Sequence, residues 1–465
     1  MRVLLVGMPI SQKYIASKIP IPEMPIALGV GYVAAYARQD DFVRRHANIE
    51  TLRYVVGRPD QAEADDEELV QMILLRDPDV VGFSCYIWNM SRIAHVSVAL
   101  KIIAPQLTIV WGGPEAGLAP EETLRENSGV DIVVRGEGEV TFADLVRHLC
   151  ERKDLRTVPG IAYRDGDGVV VTAERERVIS LDQFPSPYLA GTIDPKEEPE
   201  GNHMLLEGYR ECPFRCGYCV YPGKPRFFSM DRVRREIELA FQLDVHSFCF
   251  VDAYLNISKA RTLALADIFE EMDPRQSKMR GGFVMAQLLD GETVEAVARM
   301  KTPMIKTGLQ STNPEVLRNI RHRVDLERFR EAIRLLREHG IRVQIQMIAG
   351  LPGDTLDGLK RTIEFAISLQ PHELLCFTWL VLRGTYLYQM RDRFQVRYDP
   401  RAPHRAFSHY TLPYDEMLEC LEFAHRTCAE YNGLDDDSKQ KVVLGDVDAW
   451  REAGGRRRRR TYAIG

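Results

Sequence analysis

The sequence has little that would anchor it in a membrane or draw it to nucleic acid. Its most nearly apolar stretch, residues 24–37, is too short to span a bilayer and contains glycines and a proline. The opening "MRVLLVGMPI" is apolar, but no small-residue cleavage site follows it, so it predicts a buried first strand rather than a signal peptide. The formal net charge of −6 gives no general attraction to phosphates or acidic lipids. A cytoplasmic protein without a membrane partner is therefore expected.

The composition is that of an ordinary globular protein. The chain has 465 residues, of which 45% are apolar and 28% are charged, so about three domains are expected. One local exception is a run of five arginines at residues 456–460. Such a run is typical of a solvated tail, and a nucleic-acid-linked role stays only a minor alternative.

Six of the nine cysteines are scattered along the chain and form no motif. In a reducing compartment a disulfide framework is not expected, and an isolated cysteine is most often a small buried apolar residue. The six are Cys85, Cys150, Cys249, Cys376, Cys420 and Cys428. Only the remaining three cysteines need another explanation.

These three cysteines lie close together in the stretch "RECPFRCGYCV". Cys212, Cys216 and Cys219 form a C-x3-C-x2-C motif. A structural zinc site usually needs four ligands, but neither a second C-x2-C-like pair nor a His-x3-5-His follows. Three thiolates suit an iron–sulfur cube in which one iron has no protein ligand. That iron is open to a small molecule, which explains why a fourth cysteine is absent.

Strands and helices alternate over residues 204–370. The stretch "HMLLEGYRECPF" predicts a strand that ends in a polar turn, and "SMDRVRREIELAFQL" predicts a helix capped by Ser229 or Asp231. Later runs such as "SFCFVDAYL", "MIKTGLQS" and "RVQIQMIAGLPGD" predict further strands with helices between them. The alternation predicts a parallel sheet or barrel, in which ligands bind at the carboxyl ends of the strands.

The N-terminal part has the same rhythm with glycine-rich strand ends. The runs "RVLLVG", "PDVVGFS", "LTIVWGG" and "VDIVVRGEGE" predict strands, and "PIALGVGYVAAYARQ" and "SRIAHVSVALKIIAP" predict helices between them. We therefore expect a doubly wound, Rossmann-like α/β domain with a parallel sheet over residues 1–151. Glycines at the strand ends would admit a ligand close to the backbone, although they could also be tight turns.

The remaining segments complete the predicted domain organisation. Residues 152–200 contain "IAYRDGDGVVVTA", whose alternating apolar residues predict a β-hairpin linker. Residues 201–375 hold the β/α domain. Residues 376–465 are predicted to be a small, mainly helical region with the basic tail, because "PYDEMLECLEFAHRTCAEYN" has the pattern of an amphipathic helix. The residues of that helix expected to face the core are Met417, Leu421 and either Phe423 or Ala424.

The cysteine motif resembles that of the radical S-adenosylmethionine (SAM) enzymes. An aromatic residue, Tyr218, precedes the last cysteine, and "GLQS" and "AGLPGDT" match later motifs of that family over residues 205–370. The resemblance implies a partial (β/α)6 barrel with a [4Fe–4S] cluster on the three cysteines. The open iron would bind the amino and carboxylate groups of SAM, and one electron would generate a 5′-deoxyadenosyl radical. The SAM-binding positions that the resemblance implies are Tyr218, Asp252, Gln287, Gln310, Ser311, Gly350, Leu351 and Pro352.

Three of these positions have an alternative interpretation. The family's glycine-glycine-glutamate signature is absent, so Asp252 is assigned only by its place at the end of the second strand. Gln287 and Gln310 are likewise assigned by their places at strand ends. For all three, the alternative is a solvated loop or a strand cap.

The N-terminal domain resembles the cobalamin-binding domain that precedes many radical SAM barrels. The stretches "FSCYIWNM", "WGGPEA" and "RGEGEVTF" carry this resemblance, whereas the D-x-H-x-x-G motif with its cobalt-ligating histidine is absent. Cobalamin bound without a protein imidazole is therefore implied, with Trp88 expected against the lower face of the corrin. A domain that has lost the corrinoid stays an alternative. The implied cobalamin-binding positions are Met8, Pro9, Ser84, Cys85, Trp88, Gly112, Gly113, Gly136 and Glu137.

Together the two resemblances imply a cobalamin-dependent C-methyltransferase that acts on an unactivated carbon of a small molecule. In such enzymes one SAM methylates cob(I)alamin, and another supplies the radical that removes a substrate hydrogen atom before methyl transfer. An external one-electron donor, flavodoxin or ferredoxin, must restore the reduced cofactors. The substrate itself is not identified by the sequence. Polar or aromatic candidates for its pocket are Tyr386, Tyr388, His404, His409 and Tyr410.

Two other functions stay open at this point. The first is a cobalamin-dependent radical rearrangement, ring contraction or cyclisation without net methylation. The second is a non-catalytic sensor that binds cobalamin and keeps a structural iron–sulfur cluster. Product mass distinguishes methylation from rearrangement, and reductive formation of 5′-deoxyadenosine distinguishes either enzyme from a sensor.

Overall fold

The computed structural model describes residues 1–9, 26–55, 66–197, 203–272, 278–279 and 281–433. The arginine run at residues 456–460 lies outside these residues, as does most of the loop after the first strand, where a cobalt-ligating histidine was sought. Within the described part of the chain, no helix is both long and apolar enough to cross a membrane.

The N-terminal domain is built on one seven-stranded sheet. Its strand order is β2-β1-β3-β4-β5-β6-β7, and the first five strands are parallel. The order reverses between β1 and β3, which is the topological switch point where such sheets bind ligands. The strands are β1 (Arg2–Gly7), β2 (Asn48–Arg53), β3 (Val80–Ser84), β4 (Thr108–Gly112), β5 (Ile132–Val134), β6 (Ile161–Asp165) and β7 (Gly168–Val171).

Helices cover both faces of this sheet because successive residues of each strand point to opposite sides. In β1, Leu4 and Val6 belong to one apolar core, while Val3 and Leu5 belong to the core on the other face. The helices are α1 (Leu28–Gln39), α2 (Asp41–His46), α3 (Asp66–Leu74), α4 (Met90–Ile103), α5 (Pro114–Gly117), α6 (Pro120–Glu126) and α7 (Gly138–Glu151). This is a doubly wound α/β domain, as the sequence predicts.

The predicted hairpin within residues 152–200 extends the N-terminal sheet. Strands β6 and β7 pair with each other, and β6 also pairs antiparallel with β5, with Ile132 opposite Tyr163. The segment that was expected to be only a linker therefore adds two strands at one end of the first domain's sheet.

The second domain is a partial barrel of six parallel strands. Strand β8 pairs with β11, an isolated bridge between Phe248 and Met279 follows, and β12, β13, β14 and β15 form a four-stranded sheet in that order. The barrel strands are β8 (His203–Leu206), β11 (Ser247–Phe250), β12 (Gly282–Phe283), β13 (Ile305–Gln310), β14 (Val343–Ala349) and β15 (Glu373–Thr378). A short ribbon in the loop after β8 consists of β9 (Tyr209–Arg210) and β10 (Arg226–Phe227).

Helices between the barrel strands cover the outside of the barrel. The first of them begins at Ser229, whose side chain accepts a hydrogen bond from the Arg232 amide, so Ser229 rather than Asp231 is the cap. The helices are α8 (Met230–Gln242), α9 (Lys259–Met272), α10 (Gly291–Arg299), α11 (Pro314–Asn319), α12 (Leu326–Glu338) and α13 (Leu356–Ser368).

The described part of the C-terminal region packs against the last barrel strands. It contains the short helix α14 (Tyr386–Gln389), a hairpin of β16 (Arg397–Tyr398) and β17 (Ala406–Ser408), and the long helix α15 (Tyr414–Tyr431). Helix α15 contributes to the barrel core through a stripe of residues spaced as an amphipathic helix requires. That stripe is Met417, Cys420, Leu421, Ala424 and Cys428.

Candidate functional site

The three clustered cysteines lie in a loop that is closed by the β9–β10 ribbon. Arg226 and Tyr209 belong to its two strands, which pair antiparallel. Inside the ribbon, the Cys212 amide donates to the Tyr221 carbonyl at 2.9 Å, and the Gly223 amide donates to the Cys212 carbonyl at 2.7 Å. The loop is thus held at both ends by backbone hydrogen bonds.

The middle of this cysteine loop is clamped by two later segments of the chain. The Gly217 amide donates to the Ile320 carbonyl at 2.6 Å, and the Leu387 amide donates to the Gly217 carbonyl at 2.8 Å. A Cβ atom at position 217 would lie 2.9 Å from the Tyr386 ring and 3.2 Å from the Ile320 oxygen. The close approach of these backbones therefore requires glycine between Cys216 and Tyr218.

The donor set fits an iron–sulfur cluster. Burial raises the pKa of all three thiols, and that of Cys216 to about 11, so deprotonation has to accompany metal binding. In the described ranges, no three His, Cys, Asp or Glu side chains surround a point where one metal ion would sit. A cube instead takes each cysteine sulfur on a different iron, and thiolates are the ligands it prefers.

The structure adds His322 to this site, which the sequence analysis missed. The ring is 5% exposed, and its Nδ1 atom lies 3.3 Å from the Cys216 sulfur. Its centroid is 6.4 Å from that of Tyr218. Burial lowers the pKa of His322 to about 4, so the imidazole is neutral near pH 7. No local signal marks this residue, because it follows α11 and meets the cysteine loop only through the fold.

Asp252 lies at the end of β11 and binds the start of the cysteine loop. Its Oδ1 accepts hydrogen bonds from the Gly208 amide at 2.7 Å and the Tyr209 amide at 3.3 Å. Burial raises the pKa of Asp252 to about 8. These contacts tie the end of β11 to the start of the cysteine loop, and the role of Asp252 in SAM binding stays a prediction.

The end of β13 has an irregular backbone at two predicted SAM positions. A bulge separates Gly308 from Gln310, and Gln310 has a left-handed φ of 64°. The Gln310 amide lies over Gly308, where a Cβ atom would clash with it. The neighbouring Ser311 is buried, and its hydroxyl accepts from the Asn313 amide. Non-glycine residues with this backbone conformation are concentrated at functional sites.

The other predicted SAM positions lie at neighbouring strand ends. After β14, Gly350 has a φ of 80°, and Leu351 is fully buried. The Pro352 carbonyl accepts from the Asn319 side chain at 3.0 Å, which ties this turn to α11. Gln287, after β12, donates from its side-chain amide to the Arg323 carbonyl at 2.8 Å.

A cavity of about 690 Å³ lies between the two domains. It is bounded by the carboxyl ends of β3, β4 and β5 on one side and by the cysteine loop on the other. Such a volume is in the range of small-molecule binding sites. Its lining includes five predicted cobalamin positions, Ser84, Gly112, Gly113, Gly136 and Glu137, and three residues of the cysteine loop, Val220, Tyr221 and Pro222.

The other predicted cobalamin positions do not line this cavity. Met8 and Cys85 lie in an apolar core of the N-terminal domain, and Pro9 is also buried. Trp88 stacks on Tyr86, with ring centroids 4.3 Å apart and planes within 7°. Tyr86, which was not predicted, lines the cavity. Of these two stacked rings, Tyr86 lines the cavity and Trp88 does not, so the placement of Trp88 against the corrin stays a prediction.

Glu137 is held by arginines of the barrel rather than left free in the cavity. Its carboxylate accepts from Arg210 at 2.8 Å and from Arg226 at 2.9 Å. Arg210 also binds Glu139 at 2.7 Å and Glu207 at 3.1 Å. These contacts lower the pKa of Glu137 although its burial alone would raise it. The network holds the N-terminal domain against the start of the cysteine loop.

The five residues considered for a substrate pocket lie elsewhere. The Tyr388 hydroxyl donates to Glu122, and His404 contacts Glu115, so both join the C-terminal region to the N-terminal domain. Tyr410 donates to Glu315. The other two candidates are Tyr386 and His409. None of the five lines the cavity between the two domains.

The fold and the site define a class of protein: a doubly wound domain whose ligand crevice faces a three-cysteine loop on a partial β/α barrel. Matches to known families agree with this. A B12 binding domain model matches residues 21–146, and a Radical SAM superfamily model matches residues 206–366. The chain therefore carries a B12 binding domain followed by a radical SAM domain, and its cofactors are cobalamin, a [4Fe–4S] cluster and SAM. The family, fold class and cofactors predicted from the sequence are confirmed.

The individual relatives share less than a third of their residues with this chain. The cobalamin-dependent radical SAM methyltransferase TokK from Streptomyces tokunonensis is 28% identical over 383 residues, which cover 76% of this chain and 52% of TokK. The anaerobic magnesium-protoporphyrin IX monomethyl ester cyclase from Cereibacter sphaeroides is 28% identical over 353 residues, which cover 71% of this chain and 56% of the cyclase. The chain thus spans about half the length of these relatives.

A solved structure has the same fold. It is the radical SAM methyltransferase TsrM from Kitasatospora setae, determined with tryptophan substrate and a SAM analog bound. The TM-score is 0.68 at 16% sequence identity, and the match covers 96% of this chain and 91% of TsrM. At this identity the similarity is one of fold.

Proposed function

We propose that this chain is a cobalamin-dependent radical SAM methyltransferase that methylates an unactivated carbon of a small molecule. The observation that carries the proposal is the shared cavity, which opens onto both the strand ends of the cobalamin-type domain and the cysteine loop. A substrate in this cavity would have one cofactor on each side. The methyltransferase names among its relatives support the same reaction.

The residues of this chain would bind and orient the reactants. When bound, the cluster and SAM supply a 5′-deoxyadenosyl radical, and cobalamin supplies the methyl group. Cys212, Cys216 and Cys219 would hold the cluster, while Tyr86 would cover one face of the corrin. Arg210 would keep the two domains in register through its three carboxylate partners. Positioning of this kind is the main contribution of the protein in cofactor chemistry.

The places of several predicted binding positions support this proposal. The cavity-lining glycines Gly112, Gly113 and Gly136 would admit the corrin close to the backbone. The irregular strand end at Gln310 and the left-handed Gly350 would form part of the SAM site. Electrons would come from an external one-electron donor such as flavodoxin or ferredoxin.

A second candidate is a radical cyclisation without net methylation. Similarity to the magnesium-protoporphyrin IX monomethyl ester cyclase favours it, because that relative, like TokK, is 28% identical to this chain over the matched residues. Both reactions would use the same cofactors and the same cavity. They differ in the mass of the product.

The test is anaerobic reconstitution with iron, sulfide and hydroxocobalamin, followed by incubation with SAM, titanium(III) citrate and a panel of candidate small molecules. Methyl transfer is expected to add one CH2 to the product mass, together with 5′-deoxyadenosine and S-adenosylhomocysteine. A product without this added mass would favour cyclisation instead.

Two cysteine variants accompany this test. Cys216→Ala removes a proposed cluster ligand, and Cys150→Ala is the matched control outside the loop. Cys216→Ala is expected to lose the cluster and all 5′-deoxyadenosine formation, because two thiolates do not hold the cube. Cys150→Ala is expected to behave as the native chain. A reconstituted native chain that forms no 5′-deoxyadenosine under any condition would indicate a sensor rather than an enzyme.

A further inference from the structure

His322 is a buried polar side chain that contacts one cysteine of the loop. Its Nδ1 atom is 3.3 Å from the sulfur of Cys216, within the range of a hydrogen bond to sulfur. The two residues are 106 positions apart in the chain, so the contact is made only by the fold. The imidazole is almost completely buried, with 5% of its surface exposed.

The backbone around His322 fixes the ring in this place. The His322 amide donates to the Leu317 carbonyl at 3.0 Å, which continues the end of helix α11. Two residues earlier, Ile320 accepts the hydrogen bond from Gly217 at 2.6 Å. His322 and Cys216 are therefore each one or two residues from the same backbone clamp, which holds their separation constant.

The chemistry of a bound cluster determines which atom carries the proton. A cysteine that ligates iron is a thiolate, so its sulfur can only accept a hydrogen bond. The Nδ1 atom that faces this sulfur must then carry a proton and donate the hydrogen bond. Within the described residues, Nε2 is buried and has no hydrogen-bond partner that would favour the other tautomer.

We infer that His322 donates a hydrogen bond to the Cys216 thiolate and thereby raises the reduction potential of the [4Fe–4S] cluster. One-electron reduction increases the negative charge on the cluster and its cysteine sulfurs. A hydrogen bond to one of those sulfurs stabilises the reduced form more than the oxidised form, and such bonds are one of the factors that set cluster potentials. His322 is thus a positioning and tuning residue, not a ligand. The inference rests on the cluster of the proposed function but not on the substrate or on methyl transfer.

The experiment compares His322→Leu with His322→Asn. The Asn side-chain nitrogen is close to where Nδ1 lies in histidine, so His322→Asn keeps a donor while His322→Leu removes it. Each protein is reconstituted anaerobically, and the cluster is titrated with titanium(III) citrate while the reduced form is measured by electron paramagnetic resonance. His322→Leu is expected to be roughly tenfold harder to reduce, a shift of about 59 mV to more negative potential for one electron. His322→Asn is expected to stay close to the native value.

A measurement on the unaltered protein makes the test independent of how well a variant folds. Selective 15N-histidine labelling should produce a weak 15N coupling to the reduced cluster in the native chain, and this coupling should be absent in His322→Asn. His339→Leu, at the exposed end of α12, is the control and should change neither readout. Equal potentials in the Leu, Asn and native proteins, or no histidine coupling, would overturn the inference. If the native chain assembled no cluster at all, both the proposed function and this inference would be overturned.

Discussion

The carboxyl group of Asp354 is buried in the turn between β14 and α13. One oxygen accepts from the Thr355 amide at 3.0 Å and from the Asn313 side chain at 3.5 Å. The other oxygen has no hydrogen-bond partner among the described residues. Burial raises the pKa of Asp354 to about 6. Between about pH 4 and pH 6, the folded protein therefore keeps a proton on this carboxyl group that the unfolded chain has already lost.

Stability should therefore depend on pH through Asp354. Because the folded pKa is above the unfolded value, this residue is expected to lower the free energy of unfolding as the pH rises from about 4 to about 6. Asp354→Asn removes that loss, which is on the order of 2–3 kcal/mol above pH 6. Melting temperatures measured from pH 4 to pH 8 check this. The variant should be the more stable protein at pH 7, and parallel curves for the two proteins would contradict the account.

Among the elements, the cysteine loop depends most on contacts with other parts of the chain. Its own sequence supplies the three cysteines, but the segments around Ile320 and Leu387 hold its centre through the backbone nitrogen and oxygen of Gly217. The side of Gly217 that would carry a Cβ atom faces the Tyr386 ring. The conformation of the loop therefore depends on contacts with segments that are distant in the sequence.

Gly217→Ala should disturb this clamp without removing a ligand. The added methyl group would lie 2.9 Å from Tyr386 and 3.2 Å from the Ile320 oxygen, so the loop or its neighbours must move. Overpacking of this kind costs about 1–3 kcal/mol. We expect lower iron and sulfide content after reconstitution and a lower melting temperature.

Gly291→Ala is the matched control, because nothing lies within 4 Å of a Cβ atom at that position. It is expected to retain the iron content and melting temperature of the native chain. Native iron content in Gly217→Ala would mean that the clamp does not determine the loop's conformation.

The whole molecule is joined by a buried ion network centred on Arg210. This arginine binds Glu137 and Glu139 of the N-terminal domain and Glu207 of the barrel, at 2.8, 2.7 and 3.1 Å. The rings of Tyr32 and Phe184 lie 5.0 and 4.9 Å from its guanidinium carbon. Because the network lines the cavity, the relative position of the two domains and the shape of the site depend on the same side chains.

Arg210→Met should weaken the contact between the domains. Glu137 keeps its hydrogen bonds from Arg226, but Glu139 and Glu207 lose their arginine partner. Removing one partner of a buried ion pair costs about 3–5 kcal/mol. We expect a lower unfolding midpoint and weaker retention of hydroxocobalamin on gel filtration. Calorimetry and the cobalamin absorbance of the eluted protein measure the two effects.

The control for this change is Arg156→Met, which breaks an exposed pair with Asp165. A surface pair of this kind contributes about 0–1 kcal/mol, so little change is expected. If Arg210→Met melted like Arg156→Met and retained cobalamin equally well, the network would not be what couples the domains.

The sequence by itself determined the α/β class and the two cofactor-binding domains, and it predicted Cys212, Cys216 and Cys219 as the cluster ligands. Cysteine spacing is a local property, and so is the alternation of strands with helices. The ends of the strands were also predictable, and with them a set of residues from which the cavity lining is drawn, including Ser84 and Gly112.

Only the tertiary structure decided which of those residues face the cavity and which partners they have. Trp88 and Tyr86 are close neighbours after the same strand, and the direction of each ring is set by packing rather than by sequence position. Glu137 meets Arg210 across 73 residues, and Cys216 meets His322 across 106. Such pairs leave no periodic signal, because their energy depends on distance in the folded chain, whereas a motif records only separation along the sequence.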